Sequence, residues 1–508
     1  YACGDVYEGD WVEGKKHGRG ILTSFDGSVY EGDYSEDKKQ GRGKAKYASG
    51  DIYEGEYLAD EKHGYGVATY VFGGIYEGNW STGKSNGKGK FTWPNGAFHQ
   101  GEYVNGVKQG FGEYVYASGA VYDGDYFADK KHGRGRYVDA AGVVYEGDWV
   151  KGKKNGTGIC SWPDGAVYEG SYLENKRQGK GLFIKPDGRV YEGDFLNDRF
   201  QGMGKVTSLD GGMYEGEWFD DEEHGKGKYI WPDGSVYEGG FLNGKSQGIG
   251  KLISPDGSIY EGDWLENKRH GKGRYVWPNG DVYEGEYADD RACGDGKYTN
   301  VFGDVYEGGY AEDKFHGQGR LIAGDGSFYE GNYVRGKRQG RGKYTDAVGA
   351  VYEGEWFDGK KHGKGKLDSG VGFFYEGEWA QGKRHGKGVG TWSNGTFYEG
   401  DWSEDNFDGI GRYRELDGSV YVGEHHQGVK HGDGVLTGLD GSVYEGGFIS
   451  GKKHGEGRFA SASGSVYEGE YEADKRHGKG KNIYASCAVY EGLYVDDMCQ
   501  GKGKYSYS

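Results

Sequence analysis

Nothing in this 508-residue chain approaches the roughly 18–20 consecutive apolar residues that would carry a helix across a bilayer. No secretory leader is visible either. Apolar side chains are scarce overall: AVILMFWYC make up 34% of residues, against 28% charged residues and 106 glycines. That supply is too thin for the thick cores of several ordinary domains, which the length alone would suggest. Paired cysteines are lacking too. Cys3, Cys160, Cys293, Cys487 and Cys499 show no paired spacing, which argues against a disulfide framework and a zinc knuckle. No stretch places apolar residues at i, i+3, i+4 and i+7, and glycine recurs every few positions, so helices are excluded. Positive charge is in deficit: 63 Lys and Arg face 81 Asp and Glu, a net −18. Nucleic acid is therefore not an expected partner. These absences point to a soluble chain in a reducing, cytoplasmic compartment.

What the chain has is aromatic residues, 16% of the total with 46 Tyr, and disordered chains of this charge are aromatic-poor. They recur on a strict period. From Tyr7, each step of 23 residues lands on Tyr30, Tyr53, Tyr76 and onward to Tyr490, and only His99 breaks the column. That gives twenty-two copies without an insertion, one continuous array over 1–508. Counting each Tyr as position 1, glycine fills positions 3, 12 and 14 in every copy. Position 5 is Trp, Tyr or Phe except at His425, and position 8 is only Gly, Asp or Asn. Position 21 is Gly from Gly27 to Gly464 and lapses at Cys487.

Tyr7, Gly9 and Trp11 share one parity and Glu8 and Asp10 the other, a two-residue period that predicts a strand. Gly18, Gly20 and Leu22 mark a second. Position 8 carries only residues that tolerate positive φ, and pairs such as Asp26-Gly27 supply a second turn. Each unit reads as a β-hairpin, and successive units continue as an all-β antiparallel meander. The Tyr and position-5 rings are expected to lie over the glycines at positions 12 and 14, where a bare backbone leaves them room.

The run Tyr7-Glu8-Gly9-Asp10-Trp11, then Gly14-Lys15-Lys16-His17-Gly18-Arg19-Gly20, closely resembles the MORN repeat (membrane occupation and recognition nexus). The resemblance covers the whole chain. It implies an elongated, twisted, single-layer sheet of hairpins. It also implies a scaffold for cytoskeletal or membrane-associated proteins, with phosphoinositide binding in some members. Others are targeting arrays of phosphatidylinositol phosphate kinases or SET-domain methyltransferases, and no such catalytic domain lies in this chain. Two strands per unit at about 4.8 Å spacing advance roughly 10 Å, so the array could reach about 200 Å.

Chemistry-bearing patterns dissolve into this repeat. Gly78 to Ser85 and Gly239 to Ser246 both fit GxxxxGK[ST], but a phosphate loop needs a helix after it. Eleven of the fourteen His sit at position 11, about 10 Å apart from copy to copy, whereas zinc needs ligands at about 2.0–2.3 Å. Gln and Asn fill most other copies, so a polar, hydrogen-bonding turn residue is the expectation. Glu occupies position 2 in nineteen copies and Asp123 in a twentieth, a row too uniform for a catalytic pair. No enzyme activity, metal or cofactor is expected.

Charge columns are the candidate binding feature. Basic residues gather at positions 9, 10 and 13: Lys15, Lys16, Arg19; Lys38, Lys39, Arg42; Lys130, Lys131, Arg134; Lys360, Lys361, Lys364; Lys383, Arg384, Lys387. Acids gather at positions 2, 4 and 7. A constant unit length should turn these columns into stripes, the basic one open to anionic phospholipid or an acidic protein. Glu222-Glu223 and Asn406-Phe407 interrupt it. The array starts and stops mid-unit, so a longer protein, or a homodimer through sheet ends or edges, is a further expectation. Irregular copies, at His99-Gln100, Asp290 to Asp295, Val422 to His426 and Cys487, are the places to look for specific contacts.

Overall fold

The structure is a computed structural model that describes residues 4–507; Cys3 lies outside the described residues. Forty-four strands, β1 to β44 in chain order, are the only helical or strand elements among them. The chain divides into two units, Tyr1–Pro255 and Asp256–Ser508, each with twenty-two strands. Within each unit every strand pairs antiparallel with its neighbours in sequence, as β1 (Val6–Val12), β2 (Lys15–Thr23) and β3 (Val29–Ser35) illustrate. The single-layer meander of hairpins is therefore present as the alternation predicts.

Two turns repeat. The short one joins positions 6 and 9 with positive φ at both central residues, the type I′ geometry whose twist matches that of the strands. Position 8 holds Gly14 at φ 78° or Asp37 at φ 71°, but position 7 is also left-handed, in Glu13, Glu36, Ala59 and Lys151 alike at φ 50–52°. The longer turn, Ser24 to Ser28, is closed by the Ser28 carbonyl accepting from Ser24 N–H at 2.8 Å, and Asp26 Oδ1 accepts from Ser28 N–H at 2.8 Å.

The core is a row of edge-to-face rings on one side of the sheet. Tyr53 is 0% exposed and meets Tyr57 of its own copy at 5.3 Å and Trp80 of the next at 5.1 Å. Each such pair adds about 0.5–1.5 kcal/mol beyond area burial. The Tyr53 hydroxyl donates to the Glu56 carbonyl at 3.0 Å, and Trp80 Nε1 donates to the Gly66 carbonyl at 3.1 Å. Copies are also joined by position 8, where Asp37 Oδ1 accepts from Lys16 N–H at 2.8 Å while Asp37 N–H donates to the Lys16 carbonyl at 3.1 Å.

The expected ring-over-glycine packing holds at one position and fails at another. A Cβ on Gly66, position 14, would lie 2.5 Å from Tyr53 Cζ, so the ring does rest on that glycine. Position 12 is different. Gly41 has φ +69°, and its Cβ would meet Asp33 Oδ2 at 2.7 Å instead of a ring. The register shifts between positions 3 and 5 on one side of each hairpin, and the position-4 carboxylate fills the gap, Asp33 Oδ2 accepting from Arg42 N–H at 2.9 Å. Gly66→Ala should cost about 1–3 kcal/mol, because the displaced ring is held by its neighbours. Gly152→Ala, with φ +86° and nothing within 4 Å, should cost only backbone strain of about 1 kcal/mol. Equilibrium unfolding of the two variants checks the order.

Candidate functional site

The fifteen basic residues singled out from the sequence do not share a surface. Position-9 residues stand at the short-turn edge beside the next copy's position 7: Lys15 pairs with Glu36 at 3.5 Å, Lys360 donates to Gln381 at 3.0 Å, and Lys383 pairs with Glu404. Lys38 and Lys130 are exposed there as well. Position-10 residues turn inward. Lys131 Nζ lies 4.6 Å from the Tyr122 ring centre, 4.0 Å from Tyr137 and 4.7 Å from Trp149. Lys16, Lys39, Lys361 and Arg384 occupy the same place in their copies. Burial pushes the Lys131 ammonium down to about 8 and lowers Lys39 and Lys361 as well.

Position-13 residues lie on the opposite face, among acids. Arg19 approaches Asp33 at 4.0 Å, Arg134 pairs with Asp148 at 3.5 Å and Lys387 with Asp401 at 2.6 Å; Arg42 and Lys364 are exposed on this face. Position 15 pairs likewise with the following position 2, as in Lys44–Glu54 at 3.0 Å and Arg274–Glu284 at 2.9 Å. The constant period does make columns, but acid and base alternate along them from strand to strand. Register explains this: Arg19 is opposite Asp33 and Ile21 opposite Glu31.

These columns wall shallow grooves floored by the glycines of positions 3 and 14. One of about 640 Å³ runs from Gly124 to Gly170, a second of about 810 Å³ from Gly170 to Gly204, and in the second unit one of about 1070 Å³ from Gly331 to Gly377. The sequence reading missed the apolar members of the walls. Phe111 is 62% and Met203 54% exposed, and both stand at position 13, where the column is otherwise mostly charged. A break in a charged column was the available signal.

The other singled-out residues have structural places. Gly83 and Lys84 form the short turn and start of a hairpin, and Gly244 N–H donates to the Glu223 carbonyl, so both phosphate-loop look-alikes are hairpins. Position 11 serves the turn, Gln40 Oε1 accepting from Ala59 N–H at 3.3 Å. Cys293 is half-buried and Cys487 exposed. His99 and His425 lie inside the ring row, 0% and 4% exposed. His99 Nδ1 is 2.7 Å from the Tyr103 hydroxyl, and His425 Nδ1 is 3.2 Å from the Gly423 carbonyl.

Burial lowers His99 to about 3 and His425 to about 4, so both are neutral in the fold. Unfolded histidine takes its proton near 6.5. Between these values the unfolded chain binds more protons, so this stability is complete above about pH 6.5 and lost as pH falls towards 4. The His99→Tyr/His425→Tyr variant should therefore lose less of its thermal midpoint between pH 7 and pH 4.5 than the parent; calorimetry across that range tests it.

Known proteins can be set beside this geometry. The model of the MORN repeat matches twenty-two segments, from residues 7–29 through 490–508. Comparison with curated protein sequences gives no match. Among solved structures, the TCP10 domain of Danio rerio CPAP is 14% identical with a TM-score of 0.24, covering 42% of this chain and 95% of that one. The SAS-4 (dCPAP) TCP domain of Drosophila melanogaster, solved with a proline-rich motif of Ana2 (dSTIL), is 14% identical at a TM-score of 0.20, covering 34% and 86%. A streptogramin B lyase is 15% identical at 0.11, covering 60% and 94%. Scores so low carry no argument about fold or function. The family model needs no such support: it matches one hairpin unit after another along the chain, and the protein belongs to the MORN-repeat proteins.

Proposed function

We propose that this protein is a non-enzymatic scaffold that holds protein partners in the glycine-floored grooves of its charged face. The observation that carries the reading is repetition: the same walls of paired acid and base recur in both units, at Gly124–Gly170 and again at Gly331–Gly377. A reaction site needs one special environment, whereas this surface offers the same modest environment many times over. Several weak contacts on one chain add through effective concentration. Protein segments carrying both signs of charge fit such walls, because each approaching charge finds an opposite one within a strand spacing. Phe111, Ile159 and Met203 supply apolar anchors among the charges.

A phosphoinositide-binding role, and the regulatory array of a larger lipid kinase or methyltransferase, are weaker readings. The exposed cations stand beside carboxylates, which would be pressed against anionic headgroups together with them. Proximity labelling of the intact protein in cells, with parent and a Glu353→Lys/Glu376→Lys variant, tests the scaffold. Loss of a subset of labelled proteins in the variant, with the rest retained, is the expected result. Identical labelled sets would overturn the groove. Flotation with phosphoinositide vesicles at low salt should leave the protein at the bottom of the gradient, and salt-sensitive flotation would favour the lipid reading instead.

A further inference from the structure

Position 10 shows what the ring face accepts. Fourteen of twenty-two copies carry Lys or Arg there, and Phe200, Phe315 and Phe407 stack flat on the Tyr of their copies at 3.6–3.9 Å in the same place. The tenth copy alone carries an acid, Glu223, in β20 (Glu222–Ile230). Three of the rings that surround the ammonium elsewhere are nevertheless in place. Four rings surround Lys131, namely Tyr116, Tyr122, Tyr137 and Trp149; the corresponding places around Glu223 hold Ser208, Tyr214, Tyr229 and Phe241. Tyr214 and Phe241 are 5.0 Å apart, against 5.4 Å for Tyr122 and Trp149, and Trp231 closes on Tyr229 at 4.6 Å.

Glu223 lies opposite Trp218 across its hairpin and is half-buried. Its carboxylate has no hydrogen bond or ion pair among the described residues, and burial alone pushes it up to about 7. The groups that face it are phenols, Tyr214 from β19 (Met213–Phe219) and Tyr229 from its own strand, both held protonated by burial; β21 (Val236–Leu242) brings Phe241, which does not titrate. Asp221 Oδ1 is engaged by Phe200 N–H at 2.8 Å, and Glu222 is exposed. The neighbouring copies offer no replacement cation at position 10, since they carry Phe200 and Ser246; Lys185 lies 5.1 Å from the Phe200 ring, where Asp187 and Asp221 act on it.

We propose that the ring cage around Glu223 is a docking site for an alkylammonium ion, supplied by a lysine side chain of a partner protein. Ring faces attract a cation by their quadrupoles, and the carboxylate supplies the counter-charge, whereas a resident lysine would repel the incoming ammonium. The array itself shows the geometry, for in every lysine-bearing copy the chain's own ammonium fills the equivalent cage. This proposal concerns the ring face and stands apart from the groove reading, so failure of one leaves the other intact.

The test uses the whole protein and three short peptides of one sequence, carrying lysine, trimethyl-lysine or norleucine at the centre, by calorimetric titration. The two cationic peptides should bind saturably and the norleucine peptide should not. If only ionised Glu223 binds, affinity should fall about tenfold from pH 8 to pH 6, following the ionised fraction of a group near 7. Glu223→Gln and Glu223→Lys should each lose at least about tenfold, and the lysine variant, which restores the resident cation, should unfold no earlier than the parent. Norleucine binding as tight as lysine, affinity unchanged in Glu223→Gln, or no saturable binding by the parent would each overturn the site.

Discussion

The structure depends on a tyrosine ring lying flat against a glycine. Tyr53 has its ring on Gly66 and its hydroxyl on the Glu56 carbonyl, and the arrangement repeats through both units. A single-layer sheet has no second layer to cover its apolar side, so each ring must bury itself in its own hairpin and in the edge of the next. Only a residue without a side chain at position 14 allows that approach. The glycine content that seemed to argue against a core is what lets a thin core exist.

The cations of position 10 belong to the same packing. Lys131 lies over four rings and Arg384 over Trp402, so part of the positive charge visible in composition covers the core. Much of the rest is locally matched. Lys44 with Glu54, or Lys387 with Asp401, are exposed pairs worth little each to stability. Their effect is in patterning: they leave the opposite face polar and finely mixed in sign.

Period, strand parity and turn residues were legible because each is a column, and twenty-two copies average away noise. Position 14 was legible for the same reason. Position 12 was misread because both glycines look alike in a column, while one clears a ring and the other supplies a left-handed bend at φ +69°. Position 7 was invisible: Glu13, Ala59, Thr82 and Lys151 share one backbone conformation, set by the hairpin and not by residue type. The charge columns were legible, but their separation was not, because a stripe in sequence says nothing about which strand lies opposite. Glu223 showed itself only as an interruption, and its surroundings needed coordinates to be recognised.

Position 8 reaches back to the copy before it, through its N–H and, where it is Asp or Asn, its side chain, and position 11 reaches forward to the turn of the next. No described bond of this kind skips a copy. A whole 23-residue unit can therefore be gained or lost with its bonding remade between new neighbours, whereas a one-residue insertion would leave a row of donors facing donors. The backbone N–H of position 8 makes the same backward bond whether the residue is Asp37 or Gly83, so the 23-residue increment is written in the main chain.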